Sequence, residues 1–199
     1  MARPVDREKR RDLAARAVDA LAELGIDASM TQLAEALDIK RPTLLYHFPT
    51  KAAIAEQALQ DILTEQAALV IERQEAVDHP IDQLMEQIRG VHEYHHGREK
   101  RILLLTQMVA SAGNEHTEQI MKIGNMVFEA RRQMMAQRLR EGIEAGTVAP
   151  CDVDSLMYLI RCFNDGLIVQ RVMLGLDLAP IHRFIWEHVL SPLKLEGGA

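Results

Sequence analysis

The segment HEYHH, His92 to His96, holds residue types that bind metal ions and transfer protons. It spells H-E-x-x-H, and histidines four residues apart lie on one face of a helix. Zinc peptidases use that spacing to hold the metal, with the glutamate as general base. Glu115 and Glu118, further along the chain, have the chemistry of a third ligand. Taken alone, the segment predicts a metal-dependent hydrolase, so the elements that would position it must be sought in the rest of the chain.

Composition limits the classes of protein. The chain has 199 residues, 48% of them hydrophobic and 26% charged, which is typical of a globular protein with one sizeable core or two small ones. Residues 1–12 are charged and no apolar stretch follows them, so we expect no secretory signal. No apolar run approaches the length of a membrane span. Cys151 and Cys162 lack metal-type spacing and are expected to be reduced thiols in the cytoplasm.

The charge of the chain is unevenly distributed. The net charge is −6, yet residues 1–51 contain nine Lys or Arg against eight Asp or Glu. The remaining residues contain fourteen basic and twenty-one acidic side chains. A basic N-terminal end on an acidic body predicts that an anionic polymer contacts the N-terminal part, although such an end is often merely solvated.

Helical spacing dominates the sequence. Gly25 is placed to end a first helix, and Ser29 with Gln32 forms a capping box for a second. Pro42 falls in the first turn of a third helix, and Thr50 precedes a long fourth. No segment alternates as a strand does, so an all-α fold is predicted. The face of the first helix is formed by Leu13, Ala17, Leu21 and Leu24.

Three residues separate the second helix from the third, which is the spacing of a helix-turn-helix. In the third helix Leu44 and Phe48 are four apart and are predicted to pack on the first two helices. Thr43, Tyr46 and His47 fall on another face. A polar face flanked by cations suits the major groove of DNA, and a solvated surface helix is the alternative.

The stretch from Arg7 to Leu59 resembles the DNA-binding domain of the tetracycline-repressor (TetR) family of bacterial regulators. The resemblance is carried by the Ser29 cap, by LAEALDIKRPTLLYHFPTKAAI, and by Lys51 at the start of helix four. It implies a helix-turn-helix domain at residues 1–51, joined by a long helix to a helical effector-binding and dimerisation domain at residues 52–199. It also implies a homodimer that binds a near-palindromic operator in double-stranded DNA. The function implied is that of a ligand-responsive transcriptional regulator, usually a repressor, and not an enzyme.

Residue roles follow by position in the family's motif. Three residues depart from it: Leu45 stands where a phosphate-contacting tyrosine is usual, Asp38 where the turn usually has glycine, and Lys40 where a small cap is usual. The positions that match base-reading, base-adjacent or phosphate-contacting ones, together with the flanking Lys40, are Thr31, Lys40, Arg41, Pro42, Thr43, Tyr46, His47 and Lys51.

The C-terminal part is predicted to contain six helices. They are expected at Lys51 to Val77, Ile81 to His96, Arg98 to Ala112, Asn114 to about Gly146, Asp152 to Leu174, and beyond Pro180. The eighth helix is apolar on nearly every side, which exceeds the need of one contact surface. In the family the last two helices pair with their copies across the dimer. The interface is therefore expected to include Leu156, Phe163, Leu167, Phe184, Trp186 and Val189.

In the family, helices four to eight enclose an effector pocket. Methionine side chains adapt to varied shapes, so a mostly apolar small molecule is expected. Each candidate has a structural alternative: the methionines can be core residues, and Arg161 with Asp165 can form a pair on one helix face. The candidates are His92, Gln107, Met108, Asn125, Met126, Arg161, Asn164 and Asp165.

The wider sequence weakens the peptidase interpretation of HEYHH. The long metzincin form requires glycine and histidine where the chain has Glu99 and Ile102, and Gly97 ends the helix just after His96. Thermolysin-like enzymes bind substrate along a β-sheet edge, and none is predicted. Three alternatives remain for the histidines: a regulatory metal site, hydrogen bonding to an effector, or exposure at a helix end. We expect no metal and no cofactor, and the alternative function is a metal-dependent enzyme using His92 and His96.

Overall fold

The computed structural model describes residues 7–111 and 114–195, with side chains at these positions except 109–124 and 127. Within this part the chain forms nine α-helices and no β-strand, apart from an isolated bridge between Val148 and Lys194. The all-α prediction is confirmed. The helices are α1 (Arg7–Leu24), α2 (Met30–Ala36), α3 (Arg41–His47), α4 (Lys51–Glu75), α5 (Pro80–Tyr94), α6 (Glu99–Ser111), α7 (Asn114–Glu144), α8 (Val153–Leu174) and α9 (Ala179–Ile185).

Most helix ends lie where the local sequence places them. Gly25 and Gly97 follow α1 and α5 with φ of +92° and +73°, a conformation that glycine adopts without strain. Thr50 accepts a hydrogen bond from the Ala53 amide at 3.1 Å and so caps α4. Two expectations are wrong. Leu24 is exposed, and α9 gives way to a π-helical segment (Trp186–Leu190) and a 3-10 turn (Ser191–Leu193) instead of continuing.

The described residues form two compact units. The first comprises the described residues of 1–64 and of 100–125. Its core joins α1, α2, α3 and the start of α4 with two residues of α6, Leu105 and Met108. Leu13, Ala17 and Leu21 are buried in it, as the spacing of α1 predicts. This unit therefore contains the complete helix-turn-helix.

The second unit comprises the described residues of 65–99 and of 126–199. Its central helix is α5, which buries residues on nearly every side against α8 and the C-terminal segment. Its core includes Ile81, Leu84, Met135, Leu139 and Ile160. No described helix has the length and apolar character needed to cross a membrane.

Candidate nucleic-acid interface and effector site

The turn between α2 and α3 has a fixed backbone shape. The Ile39 amide donates to the Ala34 carbonyl at 3.0 Å, and the Asp38 amide donates to the Glu35 carbonyl at 3.0 Å. This is the Schellman pattern, which requires a left-handed residue just beyond the helix. Asp38 takes that conformation with φ of 53°, and aspartate tolerates it better than most residues. The turn therefore keeps its geometry without the family's usual glycine.

Two cationic side chains donate hydrogen bonds to backbone carbonyls in the loops before and after α2. Nη2 of Arg16 donates to the Leu37 carbonyl at 2.9 Å. Nζ of Lys51 donates to the Ile26 carbonyl at 2.6 Å, between α1 and α2. An ammonium has three N–H donors, so this bond leaves Lys51 able to contact a phosphate as well. The contact with Ile26 is a structural role that the sequence did not predict.

The start of α2 is held by the predicted capping box. The Gln32 amide donates to Oγ of Ser29 at 3.2 Å, and the Ser29 amide donates to Oε1 of Gln32 at 2.9 Å. Two otherwise unpaired amides of the first turn are satisfied in this way. Thr31, in the same turn, has an exposed side chain.

The third helix is fixed by its apolar face. Leu44 and Phe48 are both fully buried in the core of the first unit, as predicted. The Arg10 guanidinium of α1 lies over the Phe48 ring, 5.1 Å from its centroid. Pro42 occupies the first turn, where its missing N–H breaks no helical hydrogen bond. Burial of one face leaves the opposite face of α3 directed to solvent.

Most of the predicted DNA-contacting side chains are exposed. Tyr46 is 55% exposed, a large value for an aromatic ring. His47 is half-buried, and its ring lies edge-on to Tyr46 with centroids 5.2 Å apart. Two cations, three hydrogen-bonding side chains and a proline are therefore presented together around α3. The exposed members are Thr31, Lys40, Arg41, Pro42, Thr43 and Tyr46.

His92 is a buried structural residue. It is 1% exposed, and its Nε2 lies 3.2 Å from both the Phe163 and the Asn164 carbonyl oxygens of α8. Nε2 must therefore carry the hydrogen, and Nδ1 accepts from Nε2 of His182 at 2.8 Å. Burial, with the neighbouring His182, lowers the pKa of His92 to about 4. Both ring nitrogens are engaged, which does not favour metal binding by His92.

The two following histidines have different surroundings. His95 is 4% exposed, its Nε2 lies 3.0 Å from Oε1 of Gln66, and burial lowers its pKa to about 4. The His96 side chain is 78% exposed. Exposure of the cluster at a helix end is therefore wrong for His92 and His95. Among the described residues, no group of three or more His, Cys, Asp or Glu is placed to hold a metal ion. The side chains of Glu115 and Glu118 lie outside the described part.

Other candidate effector residues are dispersed. Met108 is buried in the core of the first unit. Arg161 pairs with Asp165 at 3.3 Å and lies 3.8 Å from the centroid of the Phe128 ring, so the structural alternative for that pair is present. Asn164 is buried next to His92, and its Oδ1 has no hydrogen-bond partner in the described part of the chain. Within the second unit the structure brings together His92 with Asn164 and Arg161 with Asp165. The candidates Gln107, Asn125 and Met126 have exposed side chains.

The residues predicted for the dimer interface differ from one another in solvent exposure. Phe184 is 60% exposed, whereas Leu156 is buried in the core of the second unit. The half-buried ones that pack on that core are Phe163, Leu167, Trp186 and Val189. Further large apolar side chains of α8 are exposed, namely Tyr158, Leu159, Met173 and Leu174.

Four residues of the second unit were missed by reasoning from sequence. His182 and Gln66 hold the buried histidines. Nη1 of Arg171 donates to the His92 carbonyl at 3.1 Å and to Oε1 of Glu99 at 2.8 Å. Arg131 has a buried Nη2 without a partner among the described residues. His182, Gln66 and Arg171 are distant from their partners along the chain, and the burial of Arg131 depends on packing, so no local spacing reveals these residues.

Comparisons with known proteins agree with this architecture. Residues 13–58 match the family model of bacterial regulatory proteins of the tetR family. No curated protein matches the chain. Among solved structures, FadR from Bacillus subtilis in complex with stearoyl-CoA is 17% identical with a TM-score of 0.74, covering 91% of this chain and 97% of that one. The TetR-family regulator PfmR from Thermus thermophilus is 20% identical with a TM-score of 0.72, covering 94% of this chain and 97% of that one.

A third solved structure has the same fold. The ketosteroid transcriptional regulator KstR2 of Mycobacterium tuberculosis is 21% identical with a TM-score of 0.68, covering 94% of this chain and 96% of that one. At such identities the likeness shows the fold. The family match covers the helices that form the helix-turn-helix.

Proposed function

We propose, from the premise that this chain belongs to the tetR family of bacterial regulatory proteins, that it represses transcription from a near-palindromic operator until a small-molecule effector releases it. The match of residues 13–58 to the family model supports DNA binding most directly. Repression, the palindrome and the effector are our proposals, and so is a cytoplasmic location, where bacterial DNA lies. The boundary between residues 1–51 and 52–199 likewise stays a prediction.

One observation carries the DNA-binding role: α3 buries Leu44 and Phe48 and exposes Arg41, Thr43 and Tyr46. We assign these exposed side chains to the major groove. Arginine donates two hydrogen bonds to guanine in a geometry that no other base pair reproduces. Lys40 and Lys51 would contact phosphates, and such contacts position the protein without reading sequence.

We further propose that the protein acts as a homodimer. Two recognition helices then enter major grooves one helical turn apart, about 34 Å on B-DNA. The exposed Phe184 and the apolar exposed residues of α8 favour the predicted surface. An isologous contact of this kind buries the same residues on both subunits.

An effector would release the protein from DNA by shifting the population between two conformational states of the protein. A ligand that binds more tightly to a state with another helix spacing moves the protein to that state. The likeness in fold to a regulator solved with stearoyl-CoA supports a ligand of mostly apolar character. No observation favours the metal-dependent enzyme as a second function.

Selection of genomic DNA fragments by the purified protein tests this function. We expect recovery of a few fragments that share an inverted repeat, with binding that weakens steeply as salt rises. The Arg41→Ala variant should recover none of them, whereas Arg140→Ala, an exposed arginine of α7, should recover the same set. Equal recovery of random fragments by all three proteins would contradict the proposal.

A further inference from the structure

Arg131 lies on the face of α7 that points into the second unit. Met135, one turn further, is buried, with its sulfur 3.5 Å from Nε2 of Gln74. Arg138, two turns further, donates to Oε1 of Gln83 at 2.9 Å. Residues at i, i+4 and i+7 share one face of a helix. Arg131 therefore belongs to the surface that α7 presents to α4 and α5.

The guanidinium of Arg131 has no protein partner in the described part of the chain. Its Nη2 is wholly buried although the residue as a whole is half-buried, and no hydrogen bond or ion pair joins the side chain of Arg131 to a described residue. Burial lowers the pKa of Arg131, although the group stays charged. The adjacent Arg132, by contrast, pairs with Glu129 at 2.8 Å and with Asp154 at 2.7 Å. A buried charge without a counter-charge destabilises a folded protein strongly.

Several carboxylates of the neighbouring helices are engaged by other arginines, and Glu72 and Glu75 of α4 are exposed to solvent. Glu86 and Glu93 of α5 both pair with Arg73 of α4. Glu129 of α7 pairs with Arg132, whose side chain is directed to α8. No described carboxylate supplies the missing counter-charge, so a bound molecule is the remaining source for this part of the structure.

A buried glutamine of α5 lies on the side of that helix that faces α7. Gln87 is 8% exposed, and no hydrogen bond joins its side chain to another residue in the described ranges. Helices α5 and α7 are antiparallel, because His79 before α5 lies 3.0 Å from the Thr147 carbonyl after α7, whereas Gln83 meets Arg138 further along. Gln87, one turn after Gln83, continues the row that faces α7. This surface thus offers both a cation and an amide to a ligand.

We propose that Arg131 binds an oxyanion of the effector, a carboxylate or a phosphate carried on a mostly apolar body. This inference rests on the proposed function. A guanidinium donates two parallel hydrogen bonds to a carboxylate or a phosphate, and such bonds are among the strongest that proteins form. Within the unit they are shielded from water, which strengthens them further. The ligand then supplies the charge that the described residues lack, while Gln87 donates to a second polar group.

The ligand-free protein gives the first test. Arg131→Met removes the charge and keeps a side chain of similar length, and we compare its urea midpoint with those of wild type and Arg140→Met. Arg140 is the matched control, an exposed arginine on the same helix that pairs with Asp154 at 3.0 Å. We expect Arg131→Met to unfold at the same or a higher urea concentration, because an uncompensated buried charge is lost. A clearly lower midpoint would show that Arg131 is structural and overturn the proposal.

Ligand probes give the second test. Decanoate, decyl phosphate and decanol share one apolar chain and differ only in the head group, and their Kd values are measured by calorimetry. We expect decanoate or decyl phosphate to bind wild type and Arg140→Met about tenfold to hundredfold tighter than Arg131→Met. Which of the two does so identifies the oxyanion. Equal affinity of wild type for decanol, or an unchanged affinity of Arg131→Met for the anions, overturns the inference.

Operator binding separates this inference from the proposed function. Arg131→Met should bind the selected DNA fragment as wild type does, because its change lies in the second unit, yet should no longer be released by the anionic probe. If it is released as wild type is, the inference fails and the regulator stands. If wild type itself selects no DNA, the proposed function fails first.

Discussion

Replacing His95 by glutamine should make the protein less sensitive to acid. His95 is 4% exposed, and burial lowers its pKa from 6.5 to about 4. The folded protein therefore keeps a neutral imidazole through pH values at which the unfolded chain binds a proton. Glutamine does not titrate, and its amide N–H can replace the bond to Oε1 of Gln66, 3.0 Å from Nε2 of His95.

The magnitude follows from the two pKa values. With an unfolded pKa near 6.5 and a folded pKa of about 4, the unfolded state binds more protons as pH falls. The free energy of unfolding therefore decreases as the pH is lowered. The decrease is about 2 kcal/mol between pH 7 and pH 5, and about 3 kcal/mol between pH 7 and pH 4. The loss is confined to the window between the two pKa values. His92, whose pKa is also lowered to about 4, adds a similar loss.

Urea unfolding at pH 7, 6 and 5 measures this effect at one protein concentration. Wild type, His95→Gln and His96→Gln are compared, since the His96 side chain is 78% exposed and lies next to His95 in the chain. From pH 7 to pH 5, His95→Gln should lose about 2 kcal/mol less than wild type, whereas His96→Gln should parallel wild type. Parallel curves for all three proteins would refute the assignment of His95 as a buried neutral imidazole.

Three further changes test other parts of the structure. Asp38→Val should destabilise the first unit by about 1–2 kcal/mol in thermal unfolding, because a β-branched residue is strained at positive φ, whereas Asp38→Gly should not. Equal stability of the two variants would contradict the left-handed conformation of residue 38. Lys51→Met should weaken binding to all DNA sequences and flatten the salt dependence by about two units per dimer, and should also lower the melting temperature by leaving the Ile26 carbonyl unpaired. Phe184→Asp should give monomers or insoluble protein in sedimentation, and a well-folded dimer would exclude Phe184 from the interface.

Local signals in the sequence predicted the helices and the first unit. The Ser29–Gln32 box, Pro42 and Gly25 act within one turn of the chain, so their effects can be read without a fold. Burial of Leu44 and Phe48 follows from their spacing, and exposure of Tyr46 from its position on another face. These interactions are short in sequence, which is why pattern and structure agree.

The second unit was less predictable because its contacts join distant residues. His92 meets His182 across ninety residues, so the segment HEYHH gave no sign that two of its histidines are buried. No pattern of residues around Arg131 in the sequence indicates that its guanidinium is buried. Its burial depends on how α7 packs against the other helices of the second unit. A polar residue inside a helical unit can be located only when the partners of its helix are known.

Operator affinity of variants in α3 tests the central claim most directly. Fluorescence anisotropy with the selected DNA fragment is measured for wild type, Arg41→Ala, Tyr46→Ala and the control Arg140→Ala. Each lost groove contact is worth about 1–3 kcal/mol and is lost twice in a dimer, so Arg41→Ala and Tyr46→Ala should bind at least tenfold more weakly. Arg140→Ala should bind as wild type does. If the two α3 variants bound the fragment with wild-type affinity while remaining folded, the assignment of α3 as the recognition helix would be contradicted.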